Sequence, residues 1–146
     1  MNETSADAVE EFLKTIIDIS KCNLTRLEHT NATEMAKVLE NSYRAMNIAF
    51  AVEWSRFTEE AGVDLYAMVN AIRDRPTHAN LMYPGIGVGG YCLTKDPDFV
   101  NISSNLYYKD KFNFPITNMS LKINKNMVIS SLQFIKKRIK SLKNKK

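Results

Sequence analysis

The feature that most constrains this chain is a glycine-rich segment from Pro84 to Pro97, with the sequence PGIGVGGYCLTKDP. Four of the five glycines in the 146-residue chain lie between positions 85 and 90, and Cys92 follows them. Glycine serves where the backbone must take a positive φ or approach another group closely, so we expect a loop shaped around a ligand. Asp96 and Pro97 are typical of a helix start. The segment therefore predicts a site that combines a loop, a nucleophilic thiol and a helix N-terminus.

Two other interpretations of the glycines compete with a ligand loop. Gly85, Gly87 and Gly90 have the spacing of the dinucleotide-binding fingerprint, but that fingerprint needs a strand before it and a helix directly after it. Here Pro84 precedes the glycines, and a further stretch separates them from the next predicted helix. A plain surface turn is the second alternative, although ordinary turns use one or two glycines. We favour the ligand loop over both.

Helical periodicity dominates the rest of the chain, and no stretch alternates with period two for long enough to predict a sheet. Helices are predicted over 5–19, 31–61, 64–73 and 97–108, and a last helix begins at Pro115. We predict an all-α fold with a long central helix, shorter packed helices and a glycine-rich loop. The inner face of the last helix is expected to carry Ile116, Met119, Ile123, Met127, Leu132, Ile135, Ile139 and Leu142.

The helix predicted over 31–61 is unusually long. It opens at a capping-box pattern of Asn31 and Glu34 and stops before Gly62. A helix of about 28 residues spans roughly 42 Å. Its apolar positions lie on more than one face, so it needs packing partners on two sides. A second copy of the chain supplies one of them, and we predict a homodimer through this helix.

Basic residues are concentrated at the C-terminus. Positions 136–146 hold seven Lys or Arg and no acid, whereas the first 135 residues carry 13 basic and 16 acidic residues, a net charge of −3. A solvated helix end explains such a run, and an electrostatic nucleic-acid or membrane patch is the alternative. No aromatic side chain is interleaved with these charges to stack on bases. We therefore expect no nucleic-acid partner.

Apolar runs and cysteines indicate the compartment. No run approaches the roughly 20 residues of a membrane span, and the N-terminus lacks a signal pattern, so we expect no membrane partner. The two cysteines lie 70 positions apart without metal-ligand spacing, so we expect no metal site and a reducing, cytoplasmic location. Cys22 is predicted to be a packing cysteine.

A candidate catalytic group is spread over the long helix and the loop. Lys37 and Asn41 are four residues apart, so they share a helix face and could hold a water or an oxyanion. If the loop packs Cys92 against that face, Lys37 would stabilise the thiolate. Asp96, one turn after Cys92, could hold a water or act as a base. Arg75 could grip a phosphate or a sugar. Spacing alone does not exclude ordinary structural roles for these residues.

Two separated motifs resemble the UDP-glucose/GDP-mannose dehydrogenase family. They are EMAKVLENSYR at 34–44, followed by NIAF at 47–50, and GGYCLTKDP at 89–97. The resemblance covers nearly the whole chain and is to the central domain, the dimerisation domain of a larger α/β enzyme. It implies that residues 1–28 end an NAD-binding domain and link it onward. Residues 29–112 would form the central dimerisation and catalytic-cysteine domain, and 113–146 a helix leading toward a nucleotide-sugar-binding domain.

The family oxidises the primary alcohol of a nucleotide sugar to a carboxylate with two NAD per turnover. The resemblance implies that Cys92 forms a thiohemiacetal and then a thioester, that Lys37 and Asn41 stabilise the oxyanion and position water, and that Asp96 assists proton transfer. A middle piece of this kind is expected to be inactive alone. A free-standing helical dimerisation module without catalysis is the alternative. The residues expected along the substrate are Gly85, Gly87, Gly89, Gly90, Tyr91, Lys95 and Arg75, and Lys95 is also expected to bind NAD.

Three positions depart from the family pattern. The family commonly has Asn before the helix acid, where this chain has Val52 before Glu53. The arginine that members contribute across the dimer would fall between Arg75 and His78, and Thr94 stands where proline is frequent. The form of the loop resembles members that act on N-acetylated or mannose-type sugars more than the glucose enzymes.

Overall fold

The computed structural model describes residues 3–143, and this part of the chain is all-α, as predicted, with no strand between those positions. The chain divides into two compact units, one up to Lys37 and the other from Val38 onward. Short 3-10 helices occur at Pro76–His78 and Asp96–Asp98. The α-helices are α1 (Glu3–Ile16), α2 (Thr30–Glu60), α3 (Leu65–Arg73), α4 (Cys92–Lys95), α5 (Phe99–Tyr108) and α6 (Pro115–Lys143).

The first unit contains α1, which ends three residues before the predicted position 19. The stop coincides with Asp18, whose carboxylate accepts hydrogen bonds from the backbone amide and hydroxyl of Ser20 at 3.1 and 2.6 Å. The Ser20 hydroxyl and then Lys21 lower the pKa of Asp18. Cys22 follows in this turn, where its amide donates to the Asp18 carbonyl at 3.1 Å. The prediction that Cys22 packs was wrong, because the turn leaves its side chain exposed.

Helix α2 has the length that the sequence predicted, within one residue at each end. In the second unit its buried residues are small or polar, since alanine and asparagine fill the positions that face the other helices. The larger apolar side chains point outward, and Phe57 is 68% exposed. One face of α2 thus packs within the chain, and a second face stays uncovered. The buried α2 residues are Asn41, Ala45, Asn47, Ala49, Ala51, Val52 and Thr58.

The connection between α2 and α3 follows the local signals in the sequence. Gly62 adopts a φ of +71°, a left-handed conformation that favours glycine and ends α2. Asp64 then accepts hydrogen bonds from the amides of Tyr66 and Ala67 at 2.8 and 3.3 Å, which caps α3. Leu65 and Val69 turn inward from α3 to the core.

The region after the glycines differs from the predicted single helix over 97–108. A four-residue helix, α4, already begins at Cys92, and a 3-10 turn over Asp96–Asp98 separates it from α5. Asp96 is the first residue of that 3-10 turn, and the N-cap position is taken by Lys95. The Asp96 side chain accepts a hydrogen bond from Asn41, at 2.9 Å. The Asp96 carboxylate, which the sequence pattern predicted to cap a helix, therefore binds Asn41 on a distant helix.

Helix α6 begins at Pro115, as predicted, but its predicted inner stripe was wrong. Of those apolar residues only Met127 is buried, Ile123 is half-buried, and the other six are exposed. Ser120, Asn124 and Met127 are the buried residues. Asn124 Nδ2 donates to the Ala45 carbonyl at 2.9 Å, so the polar and small side chains of α6 face the alanines of α2.

Candidate functional site

Two of the four clustered glycines lie against α6. A Cβ at Gly87 would stand 3.4 Å from Val128 Cγ2, and one at Gly85 would stand 3.8 Å from Met127 Cε. Gly90 has a φ of +84°, which disfavours any residue with a Cβ. At Gly89 the space is open within 4 Å. Gly85, Gly87 and Gly90 thus serve the packing and shape of the loop, and Gly89 lies on its open side.

A buried amide holds the chain just before the loop. The side chain of Asn47 on α2 donates to the Asn80 carbonyl at 2.7 Å and accepts from the Met82 amide at 2.9 Å. Asn47 also donates to the Tyr43 hydroxyl at 3.4 Å. Sequence reasoning placed Asn47 in a motif but missed this contact, because helical spacing does not reveal which distant backbone an amide meets.

An aromatic group supports the entrance to the loop, and the sequence analysis missed it as well. The rings of Tyr66 and Tyr83 stack with centroids 5.6 Å apart, and the Arg73 guanidinium lies 4.9 Å from the Tyr83 ring centroid. Tyr66 donates its hydroxyl to the Pro84 carbonyl at 3.3 Å, and Tyr83 donates to Asn70. The only sequence signal was the four-residue spacing of Tyr66 and Asn70, which puts them on one face of α3.

Cys92 begins α4 and its thiol is free and exposed. The first turn after it is closed by the Asp96 amide, which donates to the Cys92 carbonyl. Thr94, where the family frequently has proline, donates its hydroxyl to the Gly90 carbonyl at 2.8 Å. The loop therefore delivers an accessible thiol at the start of a short, hydrogen-bonded turn.

Asn41 and Asp96 meet beside this turn. Asn41 is 3% exposed, and its Nδ2 donates to Asp96 Oδ2 at 2.9 Å. The Asp96 side chain is 16% exposed, and its other oxygen lies 3.4 Å from Lys95 Nζ. The Lys95 ammonium also lies 5.2 Å from the Tyr91 ring centroid and 5.1 Å from that of Phe99. The cation and the carboxylate thus follow Cys92 within about one turn, and the Asn41 amide meets that carboxylate from α2.

Lys37 and Arg75 are the other predicted polar side chains. Lys37 lies on α2, one turn before Asn41, at the end of the first unit. Arg75 precedes the 3-10 helix at Pro76–His78, is exposed, and donates its backbone amide to the Ile72 carbonyl at 3.1 Å. The structure therefore brings together Asn41, Cys92, Lys95 and Asp96 among the predicted residues.

Residues 3–143 hold no group of three or more His, Cys, Asp or Glu side chains that could ligate a metal ion. A groove of about 850 Å³ lies in the first unit between α1 and residues 24–33. None of the helices described is both long and apolar enough to cross a membrane.

The loop differs in two ways from a dinucleotide-binding turn. A dinucleotide-binding turn runs from a strand into a helix whose N-terminus meets the pyrophosphate. Within the described residues the glycines follow a strandless segment, and α4 has only four residues. The Lys95 ammonium, half-exposed at the last position of α4, could meet a phosphate group. Contact from Lys95 is therefore compatible with a dinucleotide held mainly by other residues.

Comparison with protein families matches residues 31–126 to the UDP-glucose/GDP-mannose dehydrogenase family, central domain. The matched range contains α2 through the first part of α6, with the whole glycine segment.

Comparison with curated proteins finds relatives that are each named as a dehydrogenase. A UDP-N-acetyl-D-mannosamine dehydrogenase of Methanococcus vannielii is 32% identical over 137 residues, 88% of this chain and 31% of the relative. The protein of that name from Methanocaldococcus jannaschii is 31% identical over 140 residues, 96% of this chain and 30% of the relative. An NDP-N-acetyl-D-galactosaminuronic acid dehydrogenase of Ralstonia nicotianae is 42% identical over 67 residues, 46% of this chain and 16% of the relative. The chain spans about a third of the length of the first two.

Proposed function

Because the chain belongs to the UDP-glucose/GDP-mannose dehydrogenase family, we propose that it is the cysteine-bearing, dimerising domain of a nucleotide-sugar 6-dehydrogenase. The observation that carries the proposal is the contact of Asn41 with Asp96 in the turn that begins at the exposed Cys92. A nucleophile and a carboxylate in one turn, with a polar amide bound to that carboxylate, are groups that acyl chemistry on a thiol can use.

In the proposed reaction the primary alcohol of the sugar becomes a carboxylate through the aldehyde. The Cys92 thiolate attacks the aldehyde carbon and forms a thiohemiacetal, whose oxygen takes up negative charge. Oxidation of that adduct leaves a thioester on Cys92, and water then releases the carboxylate and the free thiol. Asn41 and Lys37 are proposed to stabilise the oxyanion and to hold the water, while Asp96 accepts a proton from that water.

NAD, when bound, would supply the acceptor for the two hydrides that leave the sugar carbon. Lys95 is the residue of this chain proposed to contact its phosphates, since a half-exposed ammonium three residues past Cys92 suits an anion. Three parts of this segment are proposed to lie along the nucleotide sugar. They are the Lys95 ammonium, Tyr91 and the backbone of Gly85, Gly87, Gly89 and Gly90. Arg75 is proposed to reach the sugar or its phosphates.

The substrate class is proposed from the curated relatives. Both archaeal relatives described above carry the name of an enzyme for UDP-N-acetyl-D-mannosamine. The relative from Ralstonia nicotianae is also named for an N-acetylated sugar acid. We therefore propose a nucleotide-linked N-acetylhexosamine as the substrate of this chain.

The proposed division of the chain keeps the boundaries expected from the sequence. Residues 1–28 would end an NAD-binding domain, 29–112 would form the central domain, and 113–146 would lead toward a nucleotide-sugar-binding domain. Since the chain covers about a third of its relatives, we propose that turnover requires the rest of such an enzyme. A homodimer is proposed to form through the uncovered face of α2, where Leu39, Phe50, Trp54 and Phe57 are exposed.

A chimeric enzyme tests the proposed function. In the relative from Methanocaldococcus jannaschii, the 140 aligned residues are replaced by those of this chain, and NADH formation is followed with UDP-N-acetyl-D-mannosamine. We expect turnover, and we expect Cys92→Ser to reduce it by about 10³-fold or more, as loss of a catalytic nucleophile does. Cys22→Ser, at the other exposed thiol, is the matched control and should leave turnover unchanged.

Each failure of the chimera has a distinct meaning. Retained turnover in Cys92→Ser would remove the thioester role from Cys92. A folded chimera that forms no NADH would instead favour the alternative, a helical dimerisation module that has kept the motif without the activity.

A further inference from the structure

We propose that Asn47 is a positioning residue that sets where the glycine segment begins relative to the helix that carries Asn41. Asn47 is 7% exposed, and its amide holds both the Asn80 carbonyl, at 2.7 Å, and the Met82 amide, at 2.9 Å. This inference rests on the proposed function, because it concerns the delivery of Cys92 to that site.

The pair of bonds fixes register as well as distance. In an extended chain the carbonyl of one residue and the amide of the second residue after it point to the same side. The side chain of Asn47 pairs with the Asn80 carbonyl and the Met82 amide in this way, while the Leu81 amide between them donates to the His78 carbonyl at 3.0 Å. A shift of the segment by one residue would break both bonds with Asn47, because the Leu81 amide is already paired with His78.

The second end of the segment is tied to the same helix. Asn41 lies six residues before Asn47 on α2, a separation of about 9 Å along the helix axis. Its amide holds Asp96, four residues past Cys92. Two buried amides on one rigid helix thus bracket the chain from Met82 to Asp96, and Cys92 lies between the two ties.

The hydrogen bonds of Asn47 are complete, which argues that its amide has this task. Its Nδ2 donates to Asn80 and to the Tyr43 hydroxyl, and its Oδ1 accepts from Met82. A buried amide is costly unless its groups are paired, and an alanine such as the neighbouring Ala45 or Ala49 would fill the helix face without that cost. The contacts with Asn80 and Met82, which precede the loop, therefore explain why this buried position carries an amide.

Amide hydrogen exchange of the chain tests the tie directly. In Asn47→Ala and in Asn47→Leu, which keeps the volume, we expect exchange at the Met82 amide to rise roughly tenfold or more beyond any change in global unfolding. Asn124→Ala is the matched control, because Asn124 is also buried and donates to a backbone carbonyl, that of Ala45, at 2.9 Å. Equal exchange at Met82 in the Asn47 and Asn124 variants would overturn the inference.

Kinetics of the chimeric enzyme test whether the tie serves catalysis. We expect Asn47→Leu to lower kcat roughly tenfold with little change in KM, since misplacing the nucleophile affects the chemical step more than binding. Asn124→Ala should leave kcat within about twofold once folded enzyme is counted. Unchanged kcat in Asn47→Leu would reduce Asn47 to a structural residue, whereas retained turnover in Cys92→Ser would sink the proposed function instead.

Discussion

Asn41 Nδ2 lies 2.9 Å from Asp96 Oδ2, which joins the long helix α2 to the turn after Cys92 across 55 positions of sequence. Both residues were expected at the site from their motifs, but Asp96 was also expected to cap a helix. The structure directs its carboxylate to the buried amide instead. The contact therefore ties the turn that begins at Cys92 to α2.

The first prediction concerns the strength of this contact. Asn41→Ala removes the donor of a part-buried carboxylate, so the free energy of unfolding in urea should fall by about 1–3 kcal/mol. Asn105→Ala is the matched control, because Asn105 donates to Asp110 at 2.8 Å in an exposed pair and its loss should cost less than about 0.5 kcal/mol. Equal losses in the two variants would contradict the assignment of the Asn41 contact as a structural tie.

The second prediction separates the neighbouring glycines. Gly90→Ala must hold a Cβ at a φ of +84°, so it should lower the free energy of unfolding by about 1–2 kcal/mol. Gly89→Ala is matched in size and has open space within 4 Å, so its effect should stay within about 0.5 kcal/mol. Urea unfolding monitored by circular dichroism compares the two, and the opposite order would refute the loop geometry described here.

The third prediction concerns the homodimer. The rings of Trp54 and Phe57 lie 6.0 Å apart on the uncovered face of α2. If this face is the interface, sedimentation equilibrium should show a dimer, and Phe57→Lys should shift it to monomer at the same concentration. Tyr107→Lys, at an exposed aromatic on α5, should leave the dimer intact. A dimer that survives Phe57→Lys and dissociates with Tyr107→Lys would move the interface to α5.

The fourth prediction compares the two exposed thiols. Cys92 should react with iodoacetamide several-fold faster than Cys22 near neutral pH, because the proposed catalytic role of Cys92 requires a more nucleophilic thiol. Lys37→Ala should slow alkylation of Cys92 and leave that of Cys22 unchanged, with modification at each site measured by mass spectrometry. Equal rates at the two thiols would mean that the remainder of the enzyme is needed to activate Cys92.

Local signals predicted the helical elements well. Gly62 ends α2 through its positive φ, Asp64 caps α3, and Pro115 begins α6. Each acts on neighbouring backbone, so its effect can be predicted without knowing the tertiary structure. The prediction of the inner face of α6 was wrong, because helical spacing identifies an apolar stripe but not the surface that packs against it. The small residues of α2 pack against the face of α6 that carries Ser120 and Asn124.

The sequence by itself determined the all-α class, the extent of the long helix and the motif that places a cysteine after clustered glycines, because these depend on residues close together in the chain. Only the tertiary structure decided that Asn41 meets Asp96 and that Asn47 holds the approach to the loop. Such contacts join residues more than 30 positions apart. They depend on how buried amides find partners when helices pack, which no local pattern encodes.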